Sequence, residues 1–237
     1  SIEHADEHRA GLESRVSELV AAWNEAAAEL TRRRKKAART FSKEITAAMQ
    51  TLGMAGGIFE AKVDKRKDPA CSATGQDDIV FQVSANKGQP PQALAQVASG
   101  GELSRISLSI QVISAGSETI PTLIFDEVDS GIGGGVAEIV GRKLRALANG
   151  RQVLCVTHLP QVAALAHQQC QVSKSTTGGT TSTRVLTLDK QERIDEIARM
   201  LGGVKITRQT RDHAEEMIKM AIGAEKPAKR KPRKTSA

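Results

Sequence analysis

From Ile2 to Ala37 the apolar side chains fall at Ile2, Ala5, Leu12, Val16, Leu19, Trp23, Ala26, Leu30 and Ala37. The steps alternate three and four, with Arg9 and Arg33 occupying the two skipped positions. A seven-residue repeat of this kind is the seam of a coiled coil. Beyond it the spacing drifts to Phe41, Ile45, Ala48 and Leu52, a stutter near the end of the arm. Residues 1–52 contain no proline and one glycine, Gly11, so the pattern predicts one long helix. At about 1.5 Å per residue such a helix would reach about 78 Å, too long to bury against a small globule. The alternative is two ordinary core helices broken near "RRRKK" (32–36).

After "GMAGG" (53–57) the period changes. "IFEAKVD" (58–64) and "DIVFQVSAN" (78–86) alternate apolar and polar residues, as half-buried strands do. "KRKDPACSATGQD" and "KGQPPQ" are loops, and "SGGE" (99–102) opens a helix whose apolar body is "ISLSIQVISAG". A regular series follows: strand 121–127, helix 134–147, strand 152–158 and helix 160–167. Apolar strands separated by helices predict a parallel sheet in an α/β layer fold. Strands 170–174 and 183–189 and helices 190–201 and 207–222 close the body.

Composition narrows the function classes. The 237 residues are 39% hydrophobic, enough for a packed core, but aromatics make up only 2% and tyrosine is absent. A base-stacking platform for single-stranded nucleic acid is therefore disfavoured. Of the net charge of +7, five units lie in "AEKPAKRKPRKTSA" (224–237), leaving a nearly balanced body and a basic tail expected to be disordered. Cys71, Cys155 and Cys170 share no metal-type spacing and read as reduced, mostly buried thiols of a cytoplasmic protein. No apolar run approaches the roughly 18–20 residues of a membrane span. With no initiator methionine, the chain reads as a fragment.

The chemistry concentrates in four short stretches. In "TLIFDEVDSG" (122–131) a buried-type strand delivers Asp126 and Glu127 at its C-terminal end, the edge where ligands bind in open α/β sheets. Paired carboxylates there suit a metal–triphosphate site, one for Mg²⁺ and one to orient or deprotonate the attacking water. Thirty-one residues after Glu127, a second strand ends in Thr157-His158, from which a histidine could sense a γ-phosphate. A strand-end histidine more often only bonds a neighbouring loop. The amides of "SGGE" at a helix N-terminus, with the Ser99 hydroxyl, suit an anion. Each motif alone is common. The order Ser-Gly-Gly-Glu, strand-Asp-Glu, Asp-Ser-Gly, strand-Thr-His is highly specific.

In that order the stretches resemble the signature motif ("SGGE"), Walker B ("LIFDE"), D-loop ("VDSG") and switch-histidine loop ("VTH") of ABC-type ATPases. The helical arm ahead of the signature resembles the coiled-coil branch, the SMC-like ATPases of chromosome maintenance. "ASGGELSRISLSIQV", "PTLIFDEVDSGIGGGVAEIVG", "QVLCVTHLPQVAA" and "IDEIARMLGG" narrow the resemblance to DNA-repair members of that branch, over roughly residues 53–222.

The resemblance implies the C-terminal lobe of an ABC-type (P-loop NTPase) head with a mostly parallel sheet. Residues 1–52 would be the returning coiled-coil arm, 53–223 the lobe and 224–237 a basic tail. No GxxxxGK[ST] occurs, because "GMAGGIFEAK" and "GGTTSTR" lack its lysine; in the family pattern that Walker A motif lies in an N-terminal lobe. Asp126 would then hold Mg²⁺ mainly through water, Glu127 would act as the base, and His158 would meet the γ-phosphate on its own head. Ser99, Gly100, Gly101 and Glu102 would bind nucleotide on an opposing head, with Asp129 linking the two sites. Arg105, one turn into the helix, would report on the signature or form a plain salt bridge.

ATP and Mg²⁺ are the implied cofactors. The implied partners are the Walker A lobe, a second head in a homodimer, DNA, and the recombinase RecA, with no membrane. The setting implied is a bacterial cytoplasm, at the nucleoid, in double-strand-break repair and recombination. The rivals are another SMC-like chromosome-maintenance ATPase and a coiled-coil scaffold that binds nucleotide without hydrolysis. The tail and "RRRKK" could also pair with DNA phosphates, or be solvated basic faces.

Overall fold

A computed structural model describes residues 2–67, 71–97, 99–114, 120–177, 180–202 and 206–223. The basic run 224–237, expected to be disordered, lies outside the described residues. The chain forms two compact units, Ser1–Ser99 and Gly100–Ala237.

The first unit is built on α1 (Ile2–Thr51), which runs unbroken through 32–36. The two halves of α1 differ in environment. Leu12, Val16 and Leu19 of the heptad seam are exposed, whereas Ile45, Ala48, Met49 and Leu52 are buried. The buried half covers an antiparallel sheet of β1 (Ile58–Lys65), β2 (Asp77–Ser84) and the short β3 (Gln92–Ala93), in the order β1-β2-β3. Full pairing from Ile58↔Ser84 to Lys65↔Asp77 puts Phe59 and Phe81 on one face. There they meet Phe41 of α1, with ring centroids 5.4–6.1 Å apart, so three of the chain's four phenylalanines share one cluster.

Hydroxyls on α1 complete the edge of β1. Thr46 Oγ1 accepts the Phe59 amide at 3.0 Å and Ser42 Oγ accepts the Ala61 amide at 2.8 Å. Four helical residues rise about 6 Å and two strand residues about 6.6 Å, so the two repeats match. Edge amides that could pair with another strand are thereby satisfied. Farther along α1, the buried Asp77 carboxylate accepts Thr31 Oγ1 at 2.8 Å and Arg34 Nη1 at 3.1 Å. Trp23 Nε1 donates to the Ser72 carbonyl at 2.9 Å. Within "RRRKK", Arg34 is thus engaged with Asp77, while Arg32 and Arg33 share Glu29 at 2.8 and 2.7 Å. Arg33, then Arg32, holds the Glu29 carboxyl below the usual carboxylate range.

The second unit carries α2 (Gly100–Ser114), β4 (Thr122–Phe125), α3 (Gly134–Leu147), β5 (Gln152–Cys155) and α4 (Pro160–Ala163). A hairpin of β6 (Cys170–Thr177) and β7 (Thr180–Thr187) follows, then α5 (Lys190–Gly202) and α6 (Arg208–Gly223). β4 and β5 form the parallel pair that the β-α-β pattern predicts, in register from Thr122↔Gln152 to Phe125↔Cys155. β6 and β7 pair antiparallel. Helix α3 spans the residues its periodicity indicates and buries Ala137, Val140, Leu144 and Leu147. Ala163 and Ala164 pack with Ile194, Ile197 and Ala198 of α5 and with Ala214 and Ile218 of α6.

Several expectations need correction: the helix read over 160–167 is the single turn Pro160–Ala163, and the strands read over 170–174 and 183–189 are Cys170–Thr177 and Thr180–Thr187. Both parallel strands are shorter than their apolar runs, ending at Phe125 and Cys155, so the site residues beyond them sit on loops. The cysteines are free but not mostly buried: Cys71 and Cys170 are exposed, and Cys155 is half-buried.

Candidate functional site

Strand β4 ends on the buried Phe125, and the chain then turns sharply. Glu127 adopts φ 57°, the one non-glycine residue with positive φ among the described residues. For a residue with a Cβ this left-handed conformation costs about 1–2 kcal/mol, and such outliers collect at functional sites. Asp126 Oδ1 accepts the Glu127 amide at 2.9 Å and the Ser130 amide closes the turn on the Glu127 carbonyl at 3.0 Å.

The start of α2 lies against this turn. A Cβ at Gly100 would collide with Glu127 Oε2, so the carboxylate rests on the bare glycine at the helix N-terminus. The partial positive charge of that terminus favours an anion there. A Cβ at Gly101 would come within 2.9 Å of Ser130 Cβ. Gly101 is therefore required by close approach, whereas a side chain at Gly100 would push the flexible Glu127 carboxylate aside.

Two α2 side chains staple the helix to the same loop. Ser104 Oγ donates to the Asp126 carbonyl at 2.6 Å, and Arg105 Nη1 donates to the Ser130 carbonyl at 2.6 Å. Arg105 is only 6% exposed. Burial lowers its pKa, partly offset by the charge of Glu102 in the first turn of α2. Arg105 thus grips a loop carbonyl as well as feeling the charge of Glu102, and Ser104 is a residue of this loop cluster that motif reading missed.

Asp129 turns inward. It is 2% exposed and its Oδ2 accepts the hydroxyl of Thr157 and, at 3.1 Å, the amide of His158. The His158 Nδ1 lies 3.4 Å from the same oxygen, while the ring as a whole is largely exposed. Val156 N donates to the Phe125 carbonyl at 2.9 Å, which carries the parallel pairing one residue past β5 and fixes Thr157 beside Asp129. Below these groups, burial first, then Asp129 and Asp126, pushes the Cys155 thiol up to about 12.

The second unit thus gathers Gly100, Gly101, Asp126, Glu127, Asp129 and His158 into one loop cluster, with Glu102 half-exposed beside it. Ser99, the last residue of the first unit, is exposed. Asp126 is an exposed oxygen donor at a strand end, and among the described residues no group of three or more His, Cys, Asp or Glu side chains gathers as a metal cage. That donor set fits Mg²⁺, which commonly takes one or two carboxylates and completes its shell with water and phosphate oxygens.

No family model matches the chain. Over 218 residues, 92% of its length, it is 44% identical to the DNA repair protein RecN of Xylella fastidiosa. It is 47% identical over 215 residues to RecN of Vibrio cholerae and 37% identical over 233 residues to RecN of Bacillus subtilis. The chain spans 38–40% of the length of these relatives. Among solved structures it matches an Smc head domain with a coiled coil and joint from Pyrococcus yayanosii, with a TM-score of 0.57 at 18% identity. That match covers 81% of this chain and 35% of the other. An Smc head domain with an extended coiled coil, bound to the C-terminal domain of ScpA, from Pyrococcus furiosus gives a TM-score of 0.53 at 19% identity. It covers 82% of this chain and 46% of that one. The chain is therefore similar to RecN over about nine-tenths of its length and has the fold of an Smc-type head segment with its helical arm. No helix among the described residues is long and apolar enough to cross a membrane.

Proposed function

We propose that this chain, similar to RecN across most of its length, is the C-terminal part of an SMC-like ATPase head acting in DNA double-strand-break repair and recombination. The observation that carries the reading is the placement of Glu127: a left-handed residue whose carboxylate rests on Gly100 at the start of the signature helix. Strained residues of this kind collect at functional sites, and a general base must be held at one spot.

In this reading Glu127 accepts the proton of the attacking water, and His158 meets the γ-phosphate on its own head. Ser99, Gly100, Gly101 and Glu102 address nucleotide on a second head. Asp126 would hold Mg²⁺, which when bound offsets phosphate charge. Asp129 ties the D-loop to the histidine loop within one head, and through the D-loop couples to the opposing site. ATP joins two heads and hydrolysis releases them.

The reading also requires a second lobe carrying Walker A. Support comes from the parallel pair, whose outer face shows Ile124 (71% exposed), Leu154 (47%) and Val156 (63%). Parallel sheets are ordinarily covered on both faces, so a further layer belongs there. DNA and the recombinase RecA are partners, in the bacterial cytoplasm at the nucleoid. The intact Asp126-Glu127 pair and His158 favour hydrolysis over a nucleotide-binding scaffold. In the full-length protein, Glu127→Gln should retain ATP and joined heads while slowing turnover by about 10²-fold or more. Turnover at the wild-type rate would sink the general-base assignment.

A further inference from the structure

The stretch "IDEIARMLGG" (194–203) is part of the resemblance, yet the nucleotide chemistry leaves it, and Arg193 just before it, without a task. The structure supplies one. Helix α5 begins with a reciprocal cap: Asp189 N donates to Glu192 Oε2 and Glu192 N donates to Asp189 Oδ1, both at 2.8 Å. This fixes the first turn, and the next residue, Arg193, reaches across to the segment that follows the histidine loop. Its Nη2 donates to the carbonyls of Ala164 at 2.9 Å, Ala166 at 2.6 Å and Ala163 at 3.2 Å. From α3, Arg145 Nη1 donates to the Leu165 carbonyl at 2.6 Å.

Ala163 ends α4 and its carbonyl also accepts the Ala166 amide at 3.2 Å, while Ala164, Leu165 and Ala166 belong to the segment just past the helix. Helix α4 begins at Pro160, two residues after His158, and is too short to stand on its own hydrogen bonds. A guanidinium forks among several acceptors with a fixed geometry that an ammonium cannot reproduce. Burial and the neighbouring Arg145 lower the Arg193 pKa, a cost consistent with a cation placed for these contacts. Asp129 holds the His158 amide, and the Val162 and Ala163 amides both donate to the Leu159 carbonyl at 3.1 Å, so the clamped segment is tied back to the residue after His158.

We propose that Arg193 is a positioning residue for His158, fixing the turn after the histidine so that its ring is presented in register for hydrolysis. The proposal rests on the ATPase reading above. The test uses the full-length protein, with Arg193→Lys made in the wild-type and His158→Ala backgrounds. In the wild-type background kcat should fall about tenfold or more, the scale of a small misplacement, with ATP affinity changed less than about twofold. In the His158→Ala background the same substitution should change kcat less than about twofold. An equal loss in both backgrounds, or no loss with the fold intact, overturns the proposal. Should Arg193→Lys fold poorly, Arg145→Lys loosens the same turn at Leu165, and the same two outcomes decide. Wild-type turnover that needs His158 but ignores both arginines defeats this inference alone. Absence of wild-type turnover defeats the ATPase reading, and this inference with it.

Discussion

Asp129 Oδ2 accepts the backbone amide of His158 at 3.1 Å and lies 3.4 Å from Nδ1 of the same residue, although the Asp129 side chain is 3% exposed and that of His158 is 70% exposed. A buried acceptor on one loop thus holds an exposed ring on the other. Asp129→Ala would leave the Thr157 hydroxyl and the His158 amide without their acceptor. Loss of about 1–3 kcal/mol of stability is expected in urea unfolding, and Asp129→Asn, which retains an acceptor oxygen, should restore much of it.

Gly100→Ala is expected to act through Glu127. The added methyl would displace Glu127 Oε2, moving the proposed base while leaving Asp126 in place. Steady-state kinetics of the full-length protein should show kcat down by about 10²-fold with KM for ATP little changed. A KM effect with kcat preserved would mean that the glycine serves binding alone.

The candidate site's residues stand out in the sequence because their order along the chain is specific, but their geometry does not. Apolar runs extended both parallel strands too far: Asp126-Glu127 follow four apolar or β-type residues, and nothing local announces that Glu127 leaves the strand in a left-handed conformation. Helix α3 was readable to its ends because a glycine run precedes a clear 3.6-residue period. The polar ties escaped because they join distant residues. Thr31 and Asp77 are 46 positions apart, and Arg193 meets carbonyls 27–30 positions away. The charge run "RRRKK" shows the same limit, since three of its five cations are committed to carboxylates within the chain.

Cys155 should be the slow thiol. Burial first, then Asp129 and Asp126, raises its pKa from the ordinary 9.0 to about 12, so the folded chain keeps it as the unreactive thiol. With iodoacetamide at pH 9, the exposed Cys71 and Cys170 should react in the folded state and Cys155 only after urea is added. Between pH 9 and 12 the unfolded chain loses this proton before the folded one does. Cys155 should therefore contribute a fall in stability as pH rises through that window, and Cys155→Ser should remove that component.

Asp77→Ala should destabilise the first unit. Its carboxylate is fully buried and anchors both Thr31 and Arg34, so its removal leaves a partly buried guanidinium without its counter-charge. A loss of about 3 kcal/mol is expected, read as a lower urea midpoint, whereas Glu29→Ala on the exposed face should change it little.

The most direct test of the head-segment account is complementation. This chain would be mixed with the segment of the full-length protein that carries Walker A, and ATP hydrolysis measured for each piece and for the mixture. The account predicts no turnover by this chain alone, turnover by the mixture, and loss of about 10²-fold or more of that turnover with Glu127→Gln. Glu127-dependent hydrolysis by this chain alone, or a well-folded mixture that binds ATP without hydrolysing it, would contradict it.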